Sequence, residues 1–413
     1  MIRLNALSLA GLVLVVLLTT YTLLPMRPTD YICPYEPHNT NYAGTLPANH
    51  SLPERLGDVH HSLPIHKNVV ICMLVPPSRL HQATLALKST ENSFNRRLKY
   101  PYVLLMTEDE IHEVPLEMRA KIDWITEGRA SFAALREPED WGVPESMDKQ
   151  RVEESLQKIG HVFYTFSTNY RSMCRFYSGL FWRHPALAKY DWLWRLDTDI
   201  EFHCDIPYDP VQRLIDANAL YGFVQVVGDT DSVQLSLAAN VSEFLATHNH
   251  LIPPHVNHGF VWKSPESIGR AVQGRAGNDD WTRHCMYVST GFLLEGYDVD
   301  GMTPLNMVNP KNNFEISHRR VWESEVYLKF FDFLDKAGGF FYERWGDAPV
   351  HSFGLAMSLT KDQVLQFDDM GYQHQGWPYH CPETFARCTC KDEVAGFRDG
   401  RERWFDAPEL KAS

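Results

Sequence analysis

Internal repeats and low-complexity stretches are absent from this sequence, which excludes a solenoid or propeller and leaves an ordinary folded core as the expectation. Positive charge is scarce. The chain has 39 Lys and Arg against 52 Asp and Glu, a formal net charge of -13, which argues against a nucleic-acid partner. An anionic ligand must therefore be held by local positive charge and metal rather than by the field of the whole chain. Zinc-type cysteine pairs are missing too: Cys388-Thr389-Cys390 is too close for a Cys-X-X-Cys site and no second pair faces it. No cysteine sits in a recognisable Cys-His arrangement, so nothing points to a thiol nucleophile. What remains for Cys33, Cys72, Cys174, Cys204, Cys285, Cys381, Cys388 and Cys390 is disulfide pairing in an oxidising compartment, with the pairing left open.

One long run lacks charge, Ala6 to Leu24, with Arg3 before it and Arg27 after it. Its length suits a transmembrane anchor, and no clear small-X-small cleavage site follows; a cleaved signal peptide is the alternative. One arginine on each side gives almost no charge bias, but the short tail (1–5) favours a cytosolic N-terminus and a lumenal bulk. Residues 25–65 carry Pro25, Pro28, Pro34, Pro37, Pro47, Pro53 and Pro64 without apolar periodicity and read as an extended stem. Residues 66–413 then form the folded domain. Asn68–Val75 reads as a buried strand, Leu80–Asn95 as an amphipathic helix and Tyr102–Met106 as a second strand, a β-α-β entry into an α/β sheet. Residues 110–160, rich in charge and in Trp and Pro interruptions, read as lobe or loop rather than sheet. Leu220–Val227 restores a strand in which Gly222 suggests a close backbone approach, and Trp322–Ala337 reads as a helix ended by Gly338-Gly339. The sequons at Asn49 and Asn240 are compatible with passage through a secretory lumen.

At the centre, the apolar run Trp192–Leu196 predicts a buried strand that leads straight into Asp197-Thr198-Asp199. Carboxylates at i and i+2 on extended backbone point to one side, and ligands of α/β sheets bind outside strand ends. Hard oxygen ligands there suit magnesium or manganese shared with a diphosphate, the Asp-X-Asp arrangement of nucleotide-sugar glycosyltransferases. The tripeptide alone is weak evidence, since Asp229-Thr230-Asp231 repeats it in what reads as a polar turn.

The surroundings of Asp197 are more specific. Tyr170–Gly179, Arg183-His184-Pro185, Trp194-Arg195 and Phe202–Asp209, with Phe94–Arg97, Asn313–Ile316, Gly338–Ser352 and Gly371–His374 in the same order, resemble the fungal α-1,2-mannosyltransferases of the Kre2/Mnt1 (KTR) type over residues 66–385. That resemblance implies a GT-A-like α/β fold with a mixed central sheet, on a type II membrane protein of the secretory pathway. The implied reaction is manganese-dependent transfer of mannose from GDP-mannose with retention. It places Asp197, Asp199 and His374 at the metal, although His351, His380 and the Asp368-Asp369 pair offer competing ligands. Glu315 matches the candidate nucleophile, with attack by its carboxylate or internal return guided by the departing phosphate both open. Asp347 matches a position proposed to accept the acceptor's proton, and Tyr170 a tyrosine near the donor sugar. Arg344, beside Trp345, is expected at the diphosphate or the acceptor, a position that packing would explain equally. Two departures stand out. Asp197 replaces a frequent glutamate, and Val75-Pro76-Pro77-Ser78-Arg79 stands where such proteins tend to carry an Arg-Asn pair at the nucleotide edge.

The expectation is a Golgi enzyme that mannosylates the mannose-terminated glycans of glycoproteins. Two alternatives stay open: a mannan-binding lectin or scaffold that keeps the fold, and a transferase for another nucleotide sugar.

Overall fold

A computed structural model describes residues 66–159, 167–228, 234, 236–253, 308–367, 369–375, 377–380 and 388–389. The expected anchor and stem, Asp229–Asp231, Asp368, the Asn49 sequon, Cys33, Cys285, Cys381 and Cys390 lie outside them. No helix among the described residues is long and apolar enough to cross a membrane.

Strand β1 (Val69–Leu74) is buried along nearly its whole length, which is why its sequence is continuously apolar rather than alternating. Helix α1 (Leu80–Thr90) lays Leu80, Ala83, Thr84 and Leu87 against it at helical spacing. A π-turn over Glu91–Asn95 carries the helix to the predicted end, where the Asn95 side chain bonds both the N–H and the C=O of Tyr100. Strand β2 (Tyr102–Thr107) runs parallel to β1, helix α2 (Leu116–Thr126) follows, and β3 (Ala130–Leu135) runs parallel to β2. This corrects the reading of 110–160 as free of sheet. Edge strand β3 is mostly half-exposed, and its Ala-Ser-Phe-Ala-Ala-Leu sequence lacks the β-branched residues that signal a strand.

After α3 (Lys149–Ile159) and α4 (Thr168–Arg175), the latter capped by the Ser167 hydroxyl, the chain enters β4 (Trp192–Leu196), parallel to β1 on its other side. Beyond it come β5 (Ile200–Phe202), α5 (Pro210–Asp216), β6 (Tyr221–Phe223), β7 (Val226–Gly228) and α6 (Leu237–His248). The sequon at Asn240 lies on α6, with the Asn240 amide donating to the Ser236 carbonyl at 2.8 Å. The last part adds β8 (Val308–Pro310), β9 (Phe314–His318), α7 (Glu325–Ala337), α8 (Asp347–Ser358), β10 (Val364–Gln366), β11 (Tyr372–His374) and β12 (Trp377–His380). Helix α7 stops where expected, because Gly338 takes φ 76° and returns its N–H to Leu334 and Asp335.

Seven strands form one mixed sheet in the order β10-β6-β9-β4-β1-β2-β3, with β9 antiparallel to both of its neighbours. A small sheet of β12, β11 and β5 stands beside the end of β4. The approach expected at Gly222 is made by a ring: a Cβ there would stand 2.6 Å from Phe367. Both faces of the large sheet are covered. One carries α1 and α2 over Ile71, Met73, Leu104, Trp194, Leu196, Phe314 and Ile316. The other carries Tyr177, Phe181, Trp322, Tyr327, Phe330 and Phe353 over Val70, Cys72, Leu193 and Tyr221. Cys204 and Cys388 form a disulfide beside Gly371, while Cys72 and Cys174 are free and buried. Burial pushes the Cys72 thiol up to about 12, so it stays protonated and supports no thiol chemistry.

Candidate active site

Strand β4 ends at the buried Leu196, and the next three residues form the site's floor. The Asp197 N–H donates to the Asn313 carbonyl at 3.0 Å, and Asp197 Oδ1 receives Arg195 Nε at 3.2 Å, the i, i+2 neighbour on its own face. Asp199 is fixed by β11 and the turn after it. Its carbonyl accepts the Gln375 N–H at 3.0 Å, and its Oδ2 accepts Gln375 Nε2 at 3.1 Å and Arg79 Nη1 at 2.5 Å. Pairing of His374 with Ile200 across β11 and β5 then brings the His374 ring to the carboxylates. Its Nε2 stands 3.1 Å from Asp199 Oδ1 and 3.7 Å from Asp197 Oδ2.

One ligand atom from each of Asp197, Asp199 and His374 lies within 4.8 Å of the others. His374 Nε2 is buried and has no hydrogen-bond partner among the described residues. A buried ring nitrogen left without a partner between two carboxylates is a donor set for a divalent cation: two hard oxygens and one imidazole, which manganese accepts more readily than magnesium. The residues present thus fit a metal. Burial pushes the Asp199 carboxyl upward, but His374 and Arg79 outweigh it and hold the group well below the usual carboxylate range. Lys311 lies in the field of the same pair. Burial lowers its amine to about 8, against the pull of Asp197 and Asp199 that raises it.

Behind this floor lies a buried charged layer. Arg195 reaches Asp347 at the first turn of α8, and its guanidinium lies 3.6 Å from the Tyr177 ring centre. Burial raises the Asp347 carboxyl, yet the Arg195 charge and hydrogen bond prevail and hold it below its ordinary value. Glu315 sits directly across from Arg195 in the β4–β9 register and is wholly buried. Its Oε2 accepts the Tyr221 hydroxyl at 2.9 Å and meets His351 Nδ1 at 2.9 Å, while Oε1 has no partner among the described residues. His351 Nε2 lies 2.8 Å from the Tyr177 carbonyl, which can only accept, so that nitrogen carries hydrogen. The contacts from Tyr221 and His351 give the Glu315 carboxyl hydrogen-bond partners in a dry position.

Tyr170 is half-buried on α4, and its hydroxyl receives Arg344 Nη1 at 3.4 Å. Two of the competing ligands are engaged elsewhere: His351 with Glu315, and Asp369 with Arg213 and Tyr208. Sequence reasoning missed Arg79, Lys311, Tyr221 and Gln375. It also missed Arg195, which alone had a readable signal, two residues before Asp197 on the same face.

The family described as glycolipid 2-alpha-mannosyltransferase matches residues 46–399. Glycolipid 2-alpha-mannosyltransferase 2 of Candida albicans is 33% identical over 309 residues, 74% of this chain, which spans 58% of that relative's length. O-glycoside alpha-1,2-mannosyltransferase homolog 3 of Schizosaccharomyces pombe is 34% identical over 333 residues, 78% of this chain and 77% of its own. Among solved structures, core-mannan synthase A of Aspergillus fumigatus, in an Mn/GDP form, superposes with a TM-score of 0.65 at 26% identity over 80% of each chain. The mannosyltransferase Ktr4p of S. cerevisiae in complex with GDP gives 0.64 at 28% identity, covering 80% of this chain and 77% of that one. The α/β sheet described above is thus a glycosyltransferase fold.

Proposed function

Because this chain belongs to the glycolipid 2-alpha-mannosyltransferase family and is a mannosyltransferase, we propose that it transfers mannose from GDP-mannose, with retention, to mannose-terminated glycans of glycoproteins. An α-1,2 linkage fits the printed names of its relatives. The observation that carries the reading is the Asp197–Asp199–His374 cluster, with its unpartnered ring nitrogen, at the end of β4. The GDP and manganese in the titles of the similar structures support the donor and the ion. We place this domain, of GT-A type, in the Golgi lumen, held by residues 6–24 as anchor and 25–65 as stem.

Asp197, Asp199 and His374 would hold manganese, which when bound supplies positive charge to the departing diphosphate. The rest falls to the chain's own side chains. Glu315 Oε1 is the one carboxylate oxygen of that residue not engaged by Tyr221 or His351, and it is the atom we assign to the anomeric carbon. As the bond from that carbon to the diphosphate breaks, its electron pair leaves with the phosphate and positive charge develops on the sugar, which a carboxylate stabilises. His351 and Tyr221 are positioning residues that fix which oxygen is left over. Asp347 was expected to take the acceptor's proton. Its lowered pKa makes it a weak base, and its geometry serves better as the counter-ion that orients Arg195. Tyr170 and Arg344, joined by a hydrogen bond at 3.4 Å, are the residues we assign to the sugar and acceptor side.

Calorimetry of GDP against the chain in manganese and in chelator tests the cluster; equal affinities would sink it, and tighter binding of UDP would indicate another donor. Glu315→Gln should lower turnover on the order of 10²-fold while GDP affinity in manganese stays the same. A variant that keeps half its turnover removes Glu315 from the reaction.

A further inference from the structure

The ion pair between Arg79 and Asp199 has no place in the reading so far. Arg79 closes a single 3₁₀ turn (Pro77–Arg79) at the end of β1, with its N–H on the Pro76 carbonyl at 2.8 Å. Pro76 and Pro77 have no backbone N–H, so the turn has lost two of the amides with which a strand end ordinarily receives phosphate. What the turn offers an anion is the Arg79 side chain. Its guanidinium is 35% exposed at the mouth of the site, and Nη1 lies 2.5 Å from Asp199 Oδ2, on a carboxylate that is only 14% exposed.

Charge balance shows why this pairing must change. Without metal, Asp197 is matched by Arg195, which it shares with Asp347, and Asp199 by Arg79. A divalent cation on Asp197 and Asp199 cancels both carboxylates and competes with Arg79 for the lone pairs of Asp199. Arg79 then loses Asp199 as its counter-charge, beside a donor whose diphosphate brings one negative charge on each phosphate. In a chain of net charge -13 the surrounding field supplies no substitute.

From this geometry we infer that Arg79 is an exchangeable counter-ion: it neutralises Asp199 in the metal-free protein and turns to the donor's diphosphate when the divalent cation takes Asp199. The inference rests on the proposed reading of the site as that of a GDP-mannose transferase. A guanidinium suits the task, because its planar fork can leave a carboxylate for a phosphate and make paired hydrogen bonds to either.

The test uses the full chain and its Arg79→Met and Arg79→Lys variants, each checked for a cooperative melting transition. Binding of manganese alone is followed from the resonance signal of the free ion, and binding of GDP by calorimetry at saturating manganese. With the competitor removed, Arg79→Met should bind manganese several-fold more tightly, yet bind GDP about 10- to 100-fold more weakly, the worth of one charged hydrogen-bonded contact. Arg79→Lys, which keeps the charge without the fork, should leave manganese affinity near that of the parent and lose about 3- to 10-fold for GDP. The Lys variant decides the matter if the Met variant fails to fold. Weaker manganese binding by Arg79→Met would mean that Arg79 merely holds Asp199 in place, and unchanged GDP affinity would mean that it never reaches the phosphate; either result overturns the inference alone. A parent chain that binds GDP equally with and without manganese overturns the reading of the site, and this inference with it.

Discussion

The two faces of β1, β4 and β9 are built from alternate residues of the same strands, yet they are held by different physics. On one face Phe94 stacks on Trp194 at 4.6 Å between ring centres, with the rings nearly parallel, and Phe314 and Ile316 pack beside Ile71. Fit between apolar shapes is all that face requires. On the other face, Arg195, Glu315, Tyr221, His351 and Asp347 are buried with their charges matched. The comparison teaches that a change of volume should disturb the first face gradually, whereas the loss of one partner on the second should leave a charge with nowhere to go.

The largest effect should come from Arg195→Met. It leaves Asp347 buried without its counter-ion and should cost about 3–5 kcal/mol in denaturant unfolding. The double variant Arg195→Met with Asp347→Leu should recover much of that loss. If the single variant unfolds like the parent, the two faces do not differ in the way described.

Lys311 sharpens the contrast through pH. Its folded-state amine, at about 8, lies below the unfolded value of 10.5, so the folded state carries a penalty while both forms are protonated. That penalty is present in full below pH 8 and is relieved as pH rises from 8 to 10.5, where the folded amine gives up its proton first. Lys311→Met in chelator should therefore exceed the parent's stability by about 3 kcal/mol at neutral pH, with the difference shrinking toward pH 10.5. A constant difference across that range would mean that the Lys311 amine is not the group titrating.

The smallest effect belongs to the apolar face: Ile71→Val should lower stability by about 1 kcal/mol and leave turnover per folded molecule and GDP affinity unchanged. A loss of turnover there would show that the faces are coupled.

The apolar face was the more legible of the two in the sequence. Continuous runs such as Val69–Leu74 and Trp192–Leu196 announce buried strands because every neighbour in a two-sided sheet is apolar. Strand β3 was missed because an edge strand buries too little to leave that pattern. On the polar face, Asp197 and Asp199 were visible as a spaced pair, and the family resemblance supplied His374 and Glu315. The partners that decide what those groups can do are far away in the chain. Arg79 lies 120 residues before Asp199, and His351 lies 36 beyond Glu315. Only the sheet order and the crossing of α8 behind it bring them together, so no local spacing could have disclosed them.

The Arg195–Glu315 register has a consequence for assembly. Strand β9 alternates Phe314, Glu315 and Ile316, and a slip of one residue against β4 or β6 would turn each side chain to the opposite face. Glu315 would then enter the stack around Trp194 and Phe94 without Tyr221 or His351, while Phe314 and Ile316 would crowd a pocket shaped for charge. A carboxylate buried without partners is among the least tolerable errors a folding chain can make. The group assigned to the sugar therefore also acts as a proofreader: the sheet can close only in the alignment that completes the site.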